Sequence, residues 1–419
     1  MPRTSLKLAA VAVGVALAAT ACGGSSTGDN GADGSAASPS AAADAAGNAT
    51  AVGQAATTTK AAALRAGLTY LLEEHVQLAG IATGTAIAKK GDLKDPAVQA
   101  AVGALDANSV ALSKAVGSAY PMAEKPFLAS WRQHIGFFVD YTLGKATKNQ
   151  AMTAKAMKDL DGYRTSFGQL INSVVPELPA DAVANELKPH VASLFAAIDA
   201  QVAGDPKQFQ LLQDAANHMP GTAAILAGGI STNLKLGAAD TKASDLRAGL
   251  TALLTQHVYA AGIAINTAVA KGGNLKDPMV VGAVSALDAN SVALSKAVGA
   301  AYPKAEAPFL ASWRQHIGFF VDYTLGKATK NQAMTAKAMK DLDGYRTSFG
   351  QLINSVVPEL PADAVANELK PHVASLFTAI DAVVAGDPTA FAKLQTAAGH
   401  MPGTAAILSG GIAENAKLS

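Results

Sequence analysis

Apolar residues recur every three to four positions along most of this chain, and nowhere do apolar and polar residues alternate long enough to mark a strand. The pattern therefore predicts helices throughout. A first long amphipathic segment covers Lys60–Lys89 and ends at Gly91. Asp95 followed by Pro96 reads as an N-cap with proline in the first turn, opening a second helix over Ala97–Ala119 that stops at Pro121. Ala123–Lys145 and Asn149–Val174 come next, the second halted by Pro176. Pro179-Ala180-Asp181 opens a fifth helix to about Val202, and Asp205-Pro206 caps a sixth that runs towards Gly228-Gly229, read as its C-cap. Short turns separate these elements, so about six helices should pack as antiparallel neighbours in a bundle.

The same pattern then returns at a constant offset of 182 residues without a gap. LRAGL at Leu64 recurs at Leu246, ALDANSVALSKAVG at Ala104 recurs at Ala286, and Pro126–Phe195 is identical to Pro308–Phe377. Each copy, about 170 residues, is long enough to bury a core, which predicts two tandem near-identical helical bundles and an all-α fold. The first copy is expected over residues 59–231, a linker over 232–244 where the sequence turns polar, and the second copy over 245–419.

Ahead of the repeat the pattern is different. Residues 1–21 combine a basic start at Arg3 and Lys7 with an apolar run, Leu8–Ala19, and small residues before Cys22. This leader resembles a bacterial lipoprotein signal, in which the cysteine is acylated and becomes the mature N-terminus; Ala19 stands where the family usually has leucine three positions before it. The resemblance implies lipidation at Cys22, a lipid anchor in the membrane, and a place on the outer, extracytoplasmic face of the cytoplasmic membrane. The other reading of the leader is an ordinary secretory signal with a chance cysteine. Cys22 is the only cysteine in the chain, so no disulfide is expected. Residues 22–58 are almost purely small and polar and read as a flexible tether reaching roughly 30 Å. No other segment reads as long and apolar enough to span a bilayer.

Composition narrows the function. Half the residues are apolar, 16% are charged, and the net charge is +1 with no basic cluster, which argues against a nucleic-acid partner. No GxSxG, HExxH or CxxC motif occurs, no catalytic constellation can be assembled, and the protein is not expected to be an enzyme.

The candidate chemistry lies in the histidines: His75, His134, His190 and His218 in the first copy, His257, His316, His372 and His400 in the second. On a helix His134 shares its face with Phe127, Trp131, Phe138 and Tyr141, His75 with Leu68, Leu71, Leu72 and Leu78, and His190 with Val183, Leu187, Leu194 and Ala197. His218 has a less clear face. A buried imidazole must hydrogen-bond or ligate something, and bundle cores are where helical proteins build metal and haem sites. Comparing the copies removes other ligands if both bind the same metal: Glu73 and Glu74 become Thr255 and Gln256, Asp214 becomes Thr396, and Tyr70 becomes Ala252. What survives is imidazole, with the thioethers of Met219 and Met401 beside the last histidines, a set that suits copper, with zinc or haem behind it. Met152 and Met157 read as core filler, and Tyr141 and Tyr163 as interhelical hydrogen-bonding groups.

The motifs EHV-x-LAG, QHIGFFVDY, KPHV and HM resemble uncharacterised helical domains of bacterial extracytoplasmic proteins, some carrying copper-related names. The expected function is thus a membrane-anchored binding protein holding copper, or another metal or haem, through its buried histidines. The alternative is a non-catalytic structural or interaction module, its histidines filling the core and its helix faces meeting an envelope protein.

Overall fold

Thr59 opens the first long helix by accepting the Ala62 amide N–H on its hydroxyl at 3.2 Å. Asp95 does the same for Ala97 at 2.8 Å ahead of Pro96, and Asn149 for Met152 at 3.1 Å. A computed structural model describes residues 54–418, all in helices and the short turns between them; no strand occurs among the described residues. The leader, Cys22 and the tether up to residue 53 lie outside the described residues.

The helices of the first copy are α1 (Gln54–Thr57), α2 (Lys60–Ala88), α3 (Pro96–Ala119), α4 (Glu124–Ala146), α5 (Gln150–Val174), α6 (Ala180–Ala203), α7 (Gln208–Ala216) and α8 (Met219–Asn233). The second copy repeats them from α2 onward as α9 (Lys242–Ala270), α10 (Pro278–Ala301), α11 (Glu306–Ala328), α12 (Gln332–Val356), α13 (Ala362–Ala385), α14 (Ala390–Ala398) and α15 (Met401–Asn415). The fold is all-α, and the repeat in the sequence is a repeat in structure.

Several expectations change. The sixth helix of each copy is two helices, α7 and α8, because Pro220 has no N–H for the carbonyl four residues back and its ring crowds that turn. The break falls at Asn217-His218. Gly228-Gly229 is then no C-cap but lies inside α8, where Gly229 lets the helix press against Leu178. The end of the expected tether is helical and packed: Thr57 is fully buried in α1, which lies against α15 of the other copy. Met157, expected in the core, is 47% exposed, because the buried stripe of α5 runs through Ala156, Leu160, Tyr163 and Phe167 and misses it.

A further change matters most for the site. The first helix was expected to be amphipathic, yet every residue from Leu71 to Gly80 is buried, including Glu73, Glu74, His75 and Gln77. The reason is α9, which runs beside α2 in the same direction: Arg65 pairs with Asp245 at 2.6 Å near their starts, and the Tyr259 hydroxyl donates to Glu74 at 2.9 Å further along. The two copies are therefore not separate bodies. Leu78, Ala79, Ala82, Ala101 and Leu105 of the first copy join the core built by the second. Each fully buried Leu or Phe on such a core contributes about 1.5–3 kcal/mol. The lead-ins cross over as well: Arg247 donates to the Thr57 carbonyl at 2.8 Å, and Arg65 to the Ala239 carbonyl at 2.9 Å.

By length and composition α9 and α10 are apolar enough to cross a membrane, contrary to the sequence reading; α9 owes this to its place between the copies, where its most apolar stretch is 78% buried.

Candidate functional site

His75 on α2 and His134 on α4 meet in the core of the first copy, their Nε2 atoms 3.3 Å apart. His257 and His316 repeat the pair at 3.3 Å in the second copy. Helix spacing explains the placement: the apolar stripe of each helix faces the bundle axis and carries the imidazole with it. Trp131 packs on both rings, at 4.9 Å from His75 and 4.6 Å from His134 between centroids, and Tyr163 stacks on His134 at 5.0 Å. Trp313 and Tyr345 box the second pair in the same way. The rings are 2% and 4% exposed, so water does not solvate them.

His190 on α6 lies across Phe138, 6.2 Å from His134 and 6.5 Å from His190 between ring centroids. A cavity of about 60 Å³ is bordered by His75, Trp131, His190, Met219 and Thr222. The structure thus brings three of the four predicted histidines and the predicted thioether of Met219 to one part of the core. His218 is at the α7–α8 break, half-buried, and couples electrostatically to His190 rather than to the pair. His257, His316 and His372 repeat the inner set, and His400 is again half-buried at the rim. Among the described residues no three His, Cys, Asp or Glu side chains come close enough to form a complete metal cage.

The pair is kept neutral. Burial pushes His75 down to about 3, the neighbouring His190 adding to the effect and Asn108 opposing it. Burial likewise holds His134 well below its ordinary value, with His75 and His190 adding. His190 falls to about 4 through burial and the nearby His218. In the second copy His316 falls to about 3 and His372 to about 4, burial again leading. The Nδ1 atoms of His75, His134 and His190 have no hydrogen-bond partner, although Asn108 and the Trp131 backbone lie beside the first two. Two neutral rings with Nε2 facing Nε2 can share one N–H as a long hydrogen bond, or aim two lone pairs at one cation.

These shifts set the acid behaviour. A histidine whose folded pKa is depressed adds stability that is full above the unfolded value near 6.5 and is lost as pH falls towards the folded value. Each inner histidine should therefore cost up to about 1.4 kcal/mol per pH unit between roughly 6.5 and 4. Glu73, which burial holds well above the carboxylate range, works in the opposite direction above about 4.5. With six buried histidines against it, the expected net result is a urea midpoint that drops steeply from pH 6.5 to 4.5. A flat midpoint over that range would show that the rings are already solvated.

Sequence reasoning missed Asn108 and the role of the two glutamates. Asn108 interrupts the apolar stripe of α3 between Leu105 and Leu112 in both copies, and that was the available signal. Its Nδ2 donates to the Leu71 carbonyl and to Glu74, both at 2.9 Å. Glu74 also accepts from Tyr70 at 2.7 Å, Tyr259 at 2.9 Å and Gln395 at 3.2 Å. Among the described residues Glu73 accepts from Gln256 alone, whose amide is 3.1 Å from both its oxygens. Burial raises both carboxylates, Glu74 the less because four donors pull it back. Tyr141 donates to Asp199 at 2.9 Å, the interhelical bond expected of it, and the buried Tyr163 hydroxyl lies beside Ser130 of α4.

Fold and site together define a class: an all-α tandem bundle with a buried, neutral imidazole pair in each copy. Comparison with protein-family models, with curated proteins and with solved structures found no match for the chain.

Proposed function

We propose that the protein is a lipid-anchored extracytoplasmic binding protein that holds one copper ion, in the monovalent state, at the histidine pair of each copy. The observation that supports this reading is the Nε2 to Nε2 distance of 3.3 Å, present in both copies. With metal–nitrogen bonds of about 2.0 Å, that spacing corresponds to a ligand–metal–ligand angle of about 110°, the edge of a trigonal or tetrahedral site. His190 and Met219 border the same cavity as His75, and either would have to shift towards the pair to complete the set of donors.

The donor set favours copper over its rivals. Imidazole and thioether suit copper, and neither carries charge. Burying a divalent ion among neutral ligands costs about four times the Born energy of a monovalent one, so Zn²⁺ is disfavoured where no thiolate or carboxylate balances it. Neutral rings also mean that no proton has to leave before the ion binds. A haem, which needs a pocket of several hundred Å³, has no room in about 60 Å³. The test is a copper(I) titration against a chromogenic chelator: about two ions per chain are expected, and none would leave the histidines as core residues of an interaction module.

The anchor has its own test. Acylation at Cys22 would place the protein in the membrane fraction, and Cys22→Ser should move it to the soluble extracytoplasmic fraction; continued membrane retention would mean that something other than lipid holds it.

A further inference from the structure

We infer that a cavity between the two copies, towards the ends of α2 and α9, binds one uncharged amphiphile: a small molecule with a linear apolar body and a hydroxyl or carbonyl head. The site is separate from the histidines and does not depend on the metal reading. Its volume is about 420 Å³, inside the range of about 300–1,000 Å³ for small-molecule sites, whereas close-packed interiors hold few voids larger than a water molecule. Reciprocal docking of the copies builds it: α7 of the first copy packs on α10 of the second, and α14 of the second packs on α3 of the first. These short helices bring Phe209 and Leu212 to one side of the cavity and Phe391 and Leu394 to the other. Gly80 on α2 and Gly262 on α9 permit the approach, because a Cβ at either would strike Leu212 or Leu394. A single copy supplies only half of the walls.

Shape and lining select the ligand. Gly80 and Lys89 both line the cavity, and between them α2 advances about 13.5 Å at 1.5 Å per residue. At about 30 Å³ for each water-sized group, the volume holds about 14 non-hydrogen atoms. A linear molecule of that size matches both measures. The walls are unequal: Gln201 and Gln208 of the first copy stand where the second has Val383 and Ala390. Gln201 is already engaged, accepting from Thr83 at 2.8 Å and donating to the Gly80 carbonyl at 2.9 Å, and Gln208 donates to the Asp205 carbonyl at 3.2 Å. The apolar body therefore lies along the wall of the second copy. At the mouth Asn266, exposed and standing where the first copy has Gly84, offers an amide to the head. The charges there are paired, Lys89 with Asp95 at 3.1 Å and Lys271 with Asp277 at 3.7 Å. The carbonyl ends of α2 and α9 also disfavour an anion. An uncharged head fits this mouth better than a carboxylate.

The experiment uses the full-length protein carrying Cys22→Ser, so that no acyl chain of its own competes. It is titrated calorimetrically, without detergent, with primary alcohols from octanol to dodecanol and with decanoate. One alcohol per chain is expected, its affinity rising about fourfold per methylene as apolar surface is buried. Decanoate should bind more weakly than decanol, because its carboxylate gives up water without gaining a free cation. Adding Thr267→Trp should remove saturable decanol binding: the indole fills the cavity, and the threonine hydroxyl it replaces bonds only the Ile263 carbonyl of its own helix. An affinity that does not rise with chain length, or no saturation at one per chain, would overturn the site. Decanoate bound as tightly as decanol would overturn the uncharged head. A Thr267→Trp protein with native circular dichroism and unchanged affinity would overturn the location. If that variant does not fold, Ala88→Trp at the exposed mouth decides the same point.

Discussion

If the histidine pairs hold copper as proposed, replacing His134 and His316 by Gln in the same chain is expected to abolish copper(I) binding while the protein still folds. Glutamine keeps a polar head of similar reach but offers an amide oxygen in place of the imidazole nitrogen, a much poorer ligand for a soft monovalent ion. Loss of an outer-shell partner typically costs 10–100-fold in metal affinity, so removal of a ligand from each pair should exceed that. On that reading, wild type equilibrated with copper at a hundred times its dissociation constant should gain about 2.7 kcal/mol per independent site, as a ligand bound only to the folded state does, and the double variant should gain nothing. Without metal, the variant loses about 1–3 kcal/mol per site from an imperfectly satisfied buried group. Melting curves with and without copper check all of this. Wild-type curves that coincide would show the pairs to be core histidines joined by a shared proton.

Gly168→Ala together with Gly350→Ala destabilises the protein, whereas Gly162→Ala on the same helix stabilises it. A Cβ at Gly168 would run into the backbone carbonyl oxygen of Ala180, in the first turn of α6, and Gly350 meets Ala362 in the same way. Backbone cannot step aside as a flexible side chain can, so α5 and α6 must separate, at about 1–3 kcal/mol per site. At Gly162 a Cβ meets nothing within 4 Å, and replacing glycine in an exposed helix interior gains roughly 0.5–1 kcal/mol. Urea midpoints at unchanged slope measure both. A Gly168→Ala protein as stable as wild type would mean that the approach of these helices is looser than the structure has it.

Much of the candidate site was legible in the sequence because helical spacing is a strong constraint. Phe127, Trp131, His134, Phe138 and Tyr141 share one face at three- and four-residue intervals, and all five are buried. The same arithmetic placed His75 and His190 inward. It could not show that His75 and His134 touch, since pairing depends on how α2 packs against α4 across a separation of 59 positions. His218 was ambiguous by pattern and is half-buried in the structure, because Pro220 ends the periodic segment beside it.

The glutamates show the limit most clearly. In the sequence Glu73-Glu74 reads as a charged step in an amphipathic helix, and comparison of the copies set both aside as ligands. In the structure both are buried at the junction of the copies, and the residues that replace them in the second copy belong to the same junction: Gln256 donates to Glu73. Two copies packed side by side bring related positions of α2 and α9 together, and like residues there would have faced carboxylate with carboxylate. The local sequence determined the helices, their caps, the repeat and the inward face of each histidine, because hydrogen bonds four residues apart and a 3.6-residue period are properties of neighbouring positions. Only the tertiary structure decided that the copies share a core, that the middle of α2 is buried on every side, and that two imidazoles meet. Those facts depend on which apolar faces find each other across long stretches of chain, and no local period encodes that.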